Sequence, residues 1–384
     1  MILQKSIFSA APAPEMEIKK LLFSDTKCKH LHSGIESPFC PDLQVHGKQM
    51  VKSMCEKYLG DFICTTLLGD GSNAENVKSR KSKGIGIVSQ IMVILETVSL
   101  GFYYFEIAIL LRESLLINGI LFNSEVWYGV TKAQISDLEA VDKMLLRRIL
   151  NTPISTPSEA LYLELGVVPL SFIVKGRRVM FLHYLLNLEE NEMLHCFFQA
   201  QLNKPARNDW TETVKQDLVD LEISLSFQEI KELSHDKFKG IVREKYRSAA
   251  LKQLLIAKSS HSKMTSLNYR ELKTQPYLFD KSFHSGDAKL LFSLRSRMVK
   301  VRNNYQNSQS DLYCPLCDED IDTQEHLLVC GKIHPFISDV SYNAIFGDDC
   351  GEIRQTFEVL KASLHIRENL LRAAEEKAGV GDVN

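Results

Sequence analysis

Four residues carry the most organised chemistry in the sequence: Cys314, Cys317, His326 and Cys330, spaced C-x2-C-x8-H-x3-C within "YCPLCDEDIDTQEHLLVC". A C-x2-C turn lets two thiolates reach one ion, and a His and a Cys four apart share one face of a short helix. Asp322 is expected to cap that helix, with Glu325 at its third position as in a capping box. Three thiolates and one imidazole fill a tetrahedral sphere and leave no open position, which predicts a structural Zn2+ rather than a catalytic one. The remaining cysteines, Cys28, Cys40, Cys55, Cys64, Cys196 and Cys350, lack partners at ligand spacing and read as core or surface thiols. The opening residues have too short an apolar run for a signal peptide. Reduced thiols and an intracellular chain, nuclear or cytoplasmic and not secreted, are therefore expected.

The stretch before this cluster, "KSFHSGDAKLLFSLRSRMVKVRNNY" (281–305), sets Lys281, Lys289, Arg295, Arg297, Lys300 and Arg302 against one acid, Asp287. Phe292 and Tyr305 are interleaved with them. A basic helix delivered onto a zinc module would make a phosphate-binding surface, although most charge runs are solvated helix faces. A second basic run, Lys78, Arg80, Lys81 and Lys83, opens an earlier helix, and its Lys78, Arg80 and Lys81 are assigned the same role. The formal net charge of −2 over 384 residues rules out a uniformly basic binder and leaves local patches open. Enzyme signatures are absent: the sequence has no Gly-rich phosphate loop, nucleophile elbow or H-E-x-x-H helix. "FGDDC" (346–350) resembles a polymerase Gly-Asp-Asp, but it stands just ahead of a helix. Asp348 and Asp349 read as a turn and N-cap pair.

The elements that must position these residues read as mainly α. Residues 1–66 have short alternating and apolar runs such as "DLQVHG" and "EKYLGDFIC", a small strand-rich region. Asp70-Gly71 signals a turn with Ser72 and Asn73 as caps, and helices follow to about 150. "KAQISDLEAVDKMLLRRIL" puts Ile135, Leu138, Val141, Leu145 and Ile149 on one face. The apolar stretch 91–111 contains Glu96 and Glu106, so it reads as two amphipathic or core helices broken at Gly101 rather than as a membrane span. Pro157 can open a helix, and Gly166 can end one ahead of Pro169. The predicted organisation is strands over 1–66, a helical domain over 67–201, a helical connection with the basic helix over 202–310, the metal module over 311–335, and a C-terminal helix and tail over 336–384.

In this order the segments resemble the C-terminal part of the reverse transcriptase of non-LTR (LINE-type) retrotransposons. The carrying residues are "DTKCKHLH" (25–32), "PDLQVHGKQM" (41–50), "EKYLGDFI" (56–63), "LLRRILNTPISTPSEALYLELGVVPL" (145–170) and "RRVMFLHYLL" (177–186), then "LLFSLRSRMVKVRNNY" leading into the Cys/His cluster. The resemblance spans roughly residues 17–335, and its specificity lies in the order of the motifs together with the C-C-H-C cluster.

The resemblance implies the end of a polymerase palm, a helical thumb over 73 to about 200, and a C-terminal zinc knuckle that helps hold RNA or target DNA. It places Lys27, with Lys29 as a competing register, near the incoming triphosphate, and Tyr58, Leu59 and Gly60 in the hairpin that grips the primer. The paired carboxylates that hold Mg2+ for polymerisation would fall before residue 17. No catalytic residue is assigned, no bound Mg2+ is expected, and no activity is expected of the chain alone. Three readings follow: a fragment that binds RNA or an RNA/DNA hybrid, a helical protein-interaction module with purely structural zinc, and part of an active polymerase completed by another chain. No membrane partner is expected.

Overall fold

The computed structural model describes residues 29–31, 44–45, 48–53, 55–58, 61–64, 70–97, 101–204, 209–305, 312–333 and 340–379. They are mainly helical and fall in two compact units, Met1–Ser79 and Arg80–Asn384. In the first unit, β1 (Lys29–Leu31) pairs in parallel with β4 (Val51–Ser53), and β2 (Gln44–Val45) pairs antiparallel with β3 (Lys48–Gln49). Strand β5 (Cys55–Tyr58) runs antiparallel to β6 (Asp61–Cys64), with Tyr58 opposite Asp61. Lys27, Leu59 and Gly60 lie outside the described residues.

Helix α1 (Asp70–Thr97) begins at Asp70, ahead of the expected caps Ser72 and Asn73. Asp, Gly and Ser are tolerated in a first turn, where the N–H groups need no carbonyl partner, so the chain coils sooner than the cap signal implies. Gly101 stands at φ 51, a left-handed conformation that costs a glycine little, and separates α1 from α2 (Tyr104–Leu111). The break foreseen there is present. No helix among the described residues is long and apolar enough to cross a membrane.

The second unit is built on α3 (Lys132–Leu150). Thr131 and Gln134 form a reciprocal capping box at its start, and Asn151 closes it at φ 50. Leu138, Val141, Leu145 and Ile149 are buried along one face, as the spacing predicts. Against α3 pack α4 (Ser158–Leu165) and α5 (Leu170–Leu186), and on α5 pack α6 (Met193–Asn203), α7 (Trp210–Asp220), α8 (Phe227–Glu232) and α9 (His235–Lys258). The Trp210 indole donates to the Glu125 carbonyl at 2.8 Å. Pro157 sits one residue ahead of α4, and Gly166 ends that helix at φ 64. A β-carbon at Gly166 would collide with the Lys273–Thr274 backbone, which here bridges to Leu165.

Buried ion pairs lock these helices. Arg112 makes a bidentate pair with Asp142 of α3 at 2.7 Å on both arms and donates to the Val168 carbonyl at 2.9 Å. Arg178 of α5 holds Asp217 of α7 in the same manner. The unit continues through α10 (Ser285–Arg295) and the metal-ligand loop to α11 (Cys350–Gly379). The Asp349 carboxylate accepts from the Gly351 and Glu352 N–H groups at 2.7 and 3.2 Å, the cap role expected for it.

Candidate metal centre

A tight turn brings the first two cysteines together. Tyr313 bridges Ile321, the Cys314 N–H donates to the Asp320 carbonyl at 2.7 Å, and the Asp318 N–H donates to the Cys314 carbonyl at 2.9 Å. Asp318, one residue after Cys317, closes the turn at φ 57, a conformation that Asp adopts more readily than most residues. The N–H groups of Leu316 and Cys317 point at the Cys314 sulfur, and those of Glu319 and Asp320 at the Cys317 sulfur. Burial pushes the Cys314 thiol up to about 11. Burial also works against the Cys317 thiolate, yet its two backbone donors bring that thiol below its ordinary value.

The third and fourth ligands come from the 3-10 turn His326–Leu328, where the Cys330 N–H donates to the His326 carbonyl at 2.9 Å. The Sγ atoms of Cys314 and Cys330 are 3.9 Å apart, and Cys317 Sγ is 3.4 Å from His326 Nε2. All four donor atoms lie within 4.8 Å of one another. A tetrahedral ion with Zn–S about 2.3 Å and Zn–N about 2.0–2.1 Å has S···S edges of about 3.8 Å and S···N edges of about 3.5 Å. Two of the separations are thus those of a tetrahedral metal site, and the four residues predicted from spacing could together hold a zinc ion.

The capping expectation is corrected. Thr323, not Asp322, caps the turn, its hydroxyl accepting from the His326 N–H at 3.0 Å. Asp322 is wholly buried and accepts instead from the Arg302 N–H at 2.7 Å and from the Arg367 guanidinium of α11 at 2.6 Å. A carboxylate so enclosed goes to the guanidinium, which neutralises it better than an uncharged N–H would. Gln324 donates to the Leu294 carbonyl at 2.9 Å and accepts from Asn304 at 3.0 Å; Glu325 pairs with Arg297 at 2.5 Å. Three of the four residues before His326, Asp322, Gln324 and Glu325, are thus tied to the helical body. Asp320 lies 3.7 Å from His326 Nδ1, where its charge favours the tautomer that leaves Nε2 free to ligate. Thr323, three residues before His326, was a readable cap signal. The distant Arg367 left no local one.

The basic residues assigned to nucleic acid do not form one surface. Arg295 is only 2% exposed and is held by Glu164 of α4 at 2.9 Å. Desolvation would lower its pKa, but the Glu164 carboxylate overrides this and raises it. Arg80 is also buried, over the rings of Trp127 and Phe122. Both are corrected as surface contacts, because a guanidinium spent inside the core cannot reach a phosphate. Arg297 is half-buried against Glu325, and its left-handed φ of 54 ends the expected basic helix at Arg295. Arg302 donates to the Tyr313 carbonyl at 2.9 Å. Lys81 pairs with Asp137 at 2.6 Å, and Lys289 lies half-buried over the Tyr104 ring at 4.0 Å. Lys78 and Lys300 are exposed.

Comparison with protein-family profiles, with curated proteins and with solved structures finds no match to this chain.

Proposed function

We propose that the chain corresponds to the C-terminal region of non-LTR-type reverse transcriptases, and that it binds RNA or an RNA/DNA hybrid. In this reading the helical unit stands for the thumb and the Cys/His loop for a zinc knuckle. Zinc closes the loop, supplies no open coordination site and has a structural role. The observation that carries the reading is the convergence of Cys314, Cys317, His326 and Cys330 on one four-donor site, joined to a helical body in the order the family resemblance implies. Phosphate contacts fall to the exposed lysines, Lys300 foremost, and not to Arg295 or Arg80.

Fluorescence anisotropy with labelled single-stranded RNA and RNA/DNA hybrid tests this, at two salt concentrations and with or without a zinc chelator. Binding that weakens steeply with salt and disappears on chelation is expected, because each neutralised phosphate releases counterions. Absence of binding at low salt, from folded and zinc-loaded protein, would overturn it. One observation favours a second reading, a protein-interaction module: Met193, Leu194 and Phe197 stand exposed together on α6. Such a module would show no salt-dependent affinity for nucleic acid.

A further inference from the structure

Two segments far apart in sequence meet through their aromatic and basic side chains. The 3-10 turn Gly101–Tyr103, entered through left-handed Gly101, carries Phe102 and Tyr103 at 36% and 52% exposure. The segment leading into α10 meets it. The His284 ring stacks on Phe102, with centroids 4.9 Å apart and planes 22° from parallel, and Lys281 Nζ lies 5.9 Å from the Tyr103 ring. His284 and Lys281 are exposed. Behind them Lys289 covers the buried Tyr104 ring, and Glu96 is the acid near enough to act on both.

A flat ring left in water beside an ammonium group has two faces of use to a ligand. A base can stack on it whatever its identity, because every base has a π-face. The ammonium can meet the phosphate that joins one base to the next. Aliphatic side chains on the same surface would offer neither. The Phe102–His284 stack already shows the spacing at which flat rings settle here, and an aromatic base continuing that stack would meet the same geometry.

We propose that Phe102, Tyr103 and His284 form a stacking platform for the bases of a single-stranded nucleic acid, with Lys281 meeting its phosphates. This rests on the nucleic-acid reading above and locates a contact the sequence did not: of these four residues, only Lys281 belongs to a basic run.

The test compares wild-type protein with Phe102→Ala/Tyr103→Ala, Tyr103→Ala and Lys281→Ala. The probes are labelled single-stranded oligo-U, oligo-dT and an RNA/DNA hybrid of equal length. The substituted side chains are at least partly exposed, and circular dichroism and zinc content confirm that each variant is folded. The double variant should lose affinity for both single strands, by roughly 5- to 160-fold per stacked base, while its affinity for the hybrid is unchanged. Tyr103→Ala should lose part of this, and Lys281→Ala should reduce the dependence on salt by about one phosphate contact. Wild-type binding that the double variant retains in full on single strands overturns the platform and leaves the nucleic-acid reading standing. No wild-type binding to any probe overturns both.

Discussion

Each cysteine in the second unit has a reactivity set by its surroundings. Cys196 is exposed, whereas burial, with Asp280 beside it, pushes the Cys350 thiol up to about 11. The thiolate is the reacting species, so a raised pKa leaves Cys350 nearly all protonated at pH 8. Its alkylation should be at least roughly ten-fold slower than that of Cys196 there, and should accelerate as pH climbs toward 11. Cys314, Cys317 and Cys330 should resist alkylation while metal is bound and react once it is chelated. Peptide mass mapping of an alkylation time course reads all five positions, and equal rates at Cys196 and Cys350 would contradict the burial argument. Cys330→Ser and His326→Ala should each lower bound zinc well below one ion per chain, as measured by atomic absorption. These ligands were legible in the sequence because chelate spacing is local: a C-x2-C turn and an x3 step fix donor separations without knowledge of the rest of the fold. Asp322 was misread for the converse reason, since its partner lies 45 residues further along the chain.

At the scale of elements, α3 was readable because its apolar period is local; its capping box at Thr131 and Gln134 is equally local but was not read. The segment 281–305 was not, because a run of basic side chains looks the same whether it faces solvent or a buried acid. Glu164 and Arg295 are 131 residues apart, and the Tyr269 hydroxyl also donates to Glu164, at 2.7 Å. The consequence is a sharp contrast between two neighbouring basic residues. Arg295→Ala strands the Glu164 carboxylate in the core and should destabilise the protein by about 3–5 kcal/mol in denaturant unfolding. Lys300→Ala, at an exposed position, should stay within about 0.5 kcal/mol of wild type. It should instead reduce the slope of log affinity against log salt by about one. If Arg295→Ala weakened nucleic-acid binding while leaving the unfolding transition in place, the assignment of this guanidinium to the core would be wrong.

For the second unit as a whole, the metal loop is not a separate bead. Asp322 accepts from both Arg302 and Arg367, Arg367 donates onward to the Lys300 carbonyl at 3.1 Å, and Gln324 is held by Leu294 and Asn304. Helix α11 therefore meets the ligand loop at the His326–Leu328 turn and through a buried carboxylate that stands four residues before His326. A metal site whose supporting contacts are removed typically loses affinity by 10–100-fold. Arg367→Ala should thus weaken zinc binding by roughly that factor, measured by competition with a chromophoric chelator, although Arg367 touches no ligand. Coupling of this kind runs both ways, because affinity gained by the metal from a docked helix is stability gained by the helix from a bound metal. Chelation should then raise amide hydrogen exchange in the part of α11 around Arg367 as well as in 312–333, with little change in α3 or α5. Exchange in α11 that ignores chelation, together with unaltered zinc affinity in Arg367→Ala, would mean that the loop folds around its metal independently. In that case the Asp322–Arg367 pair would contribute only to packing.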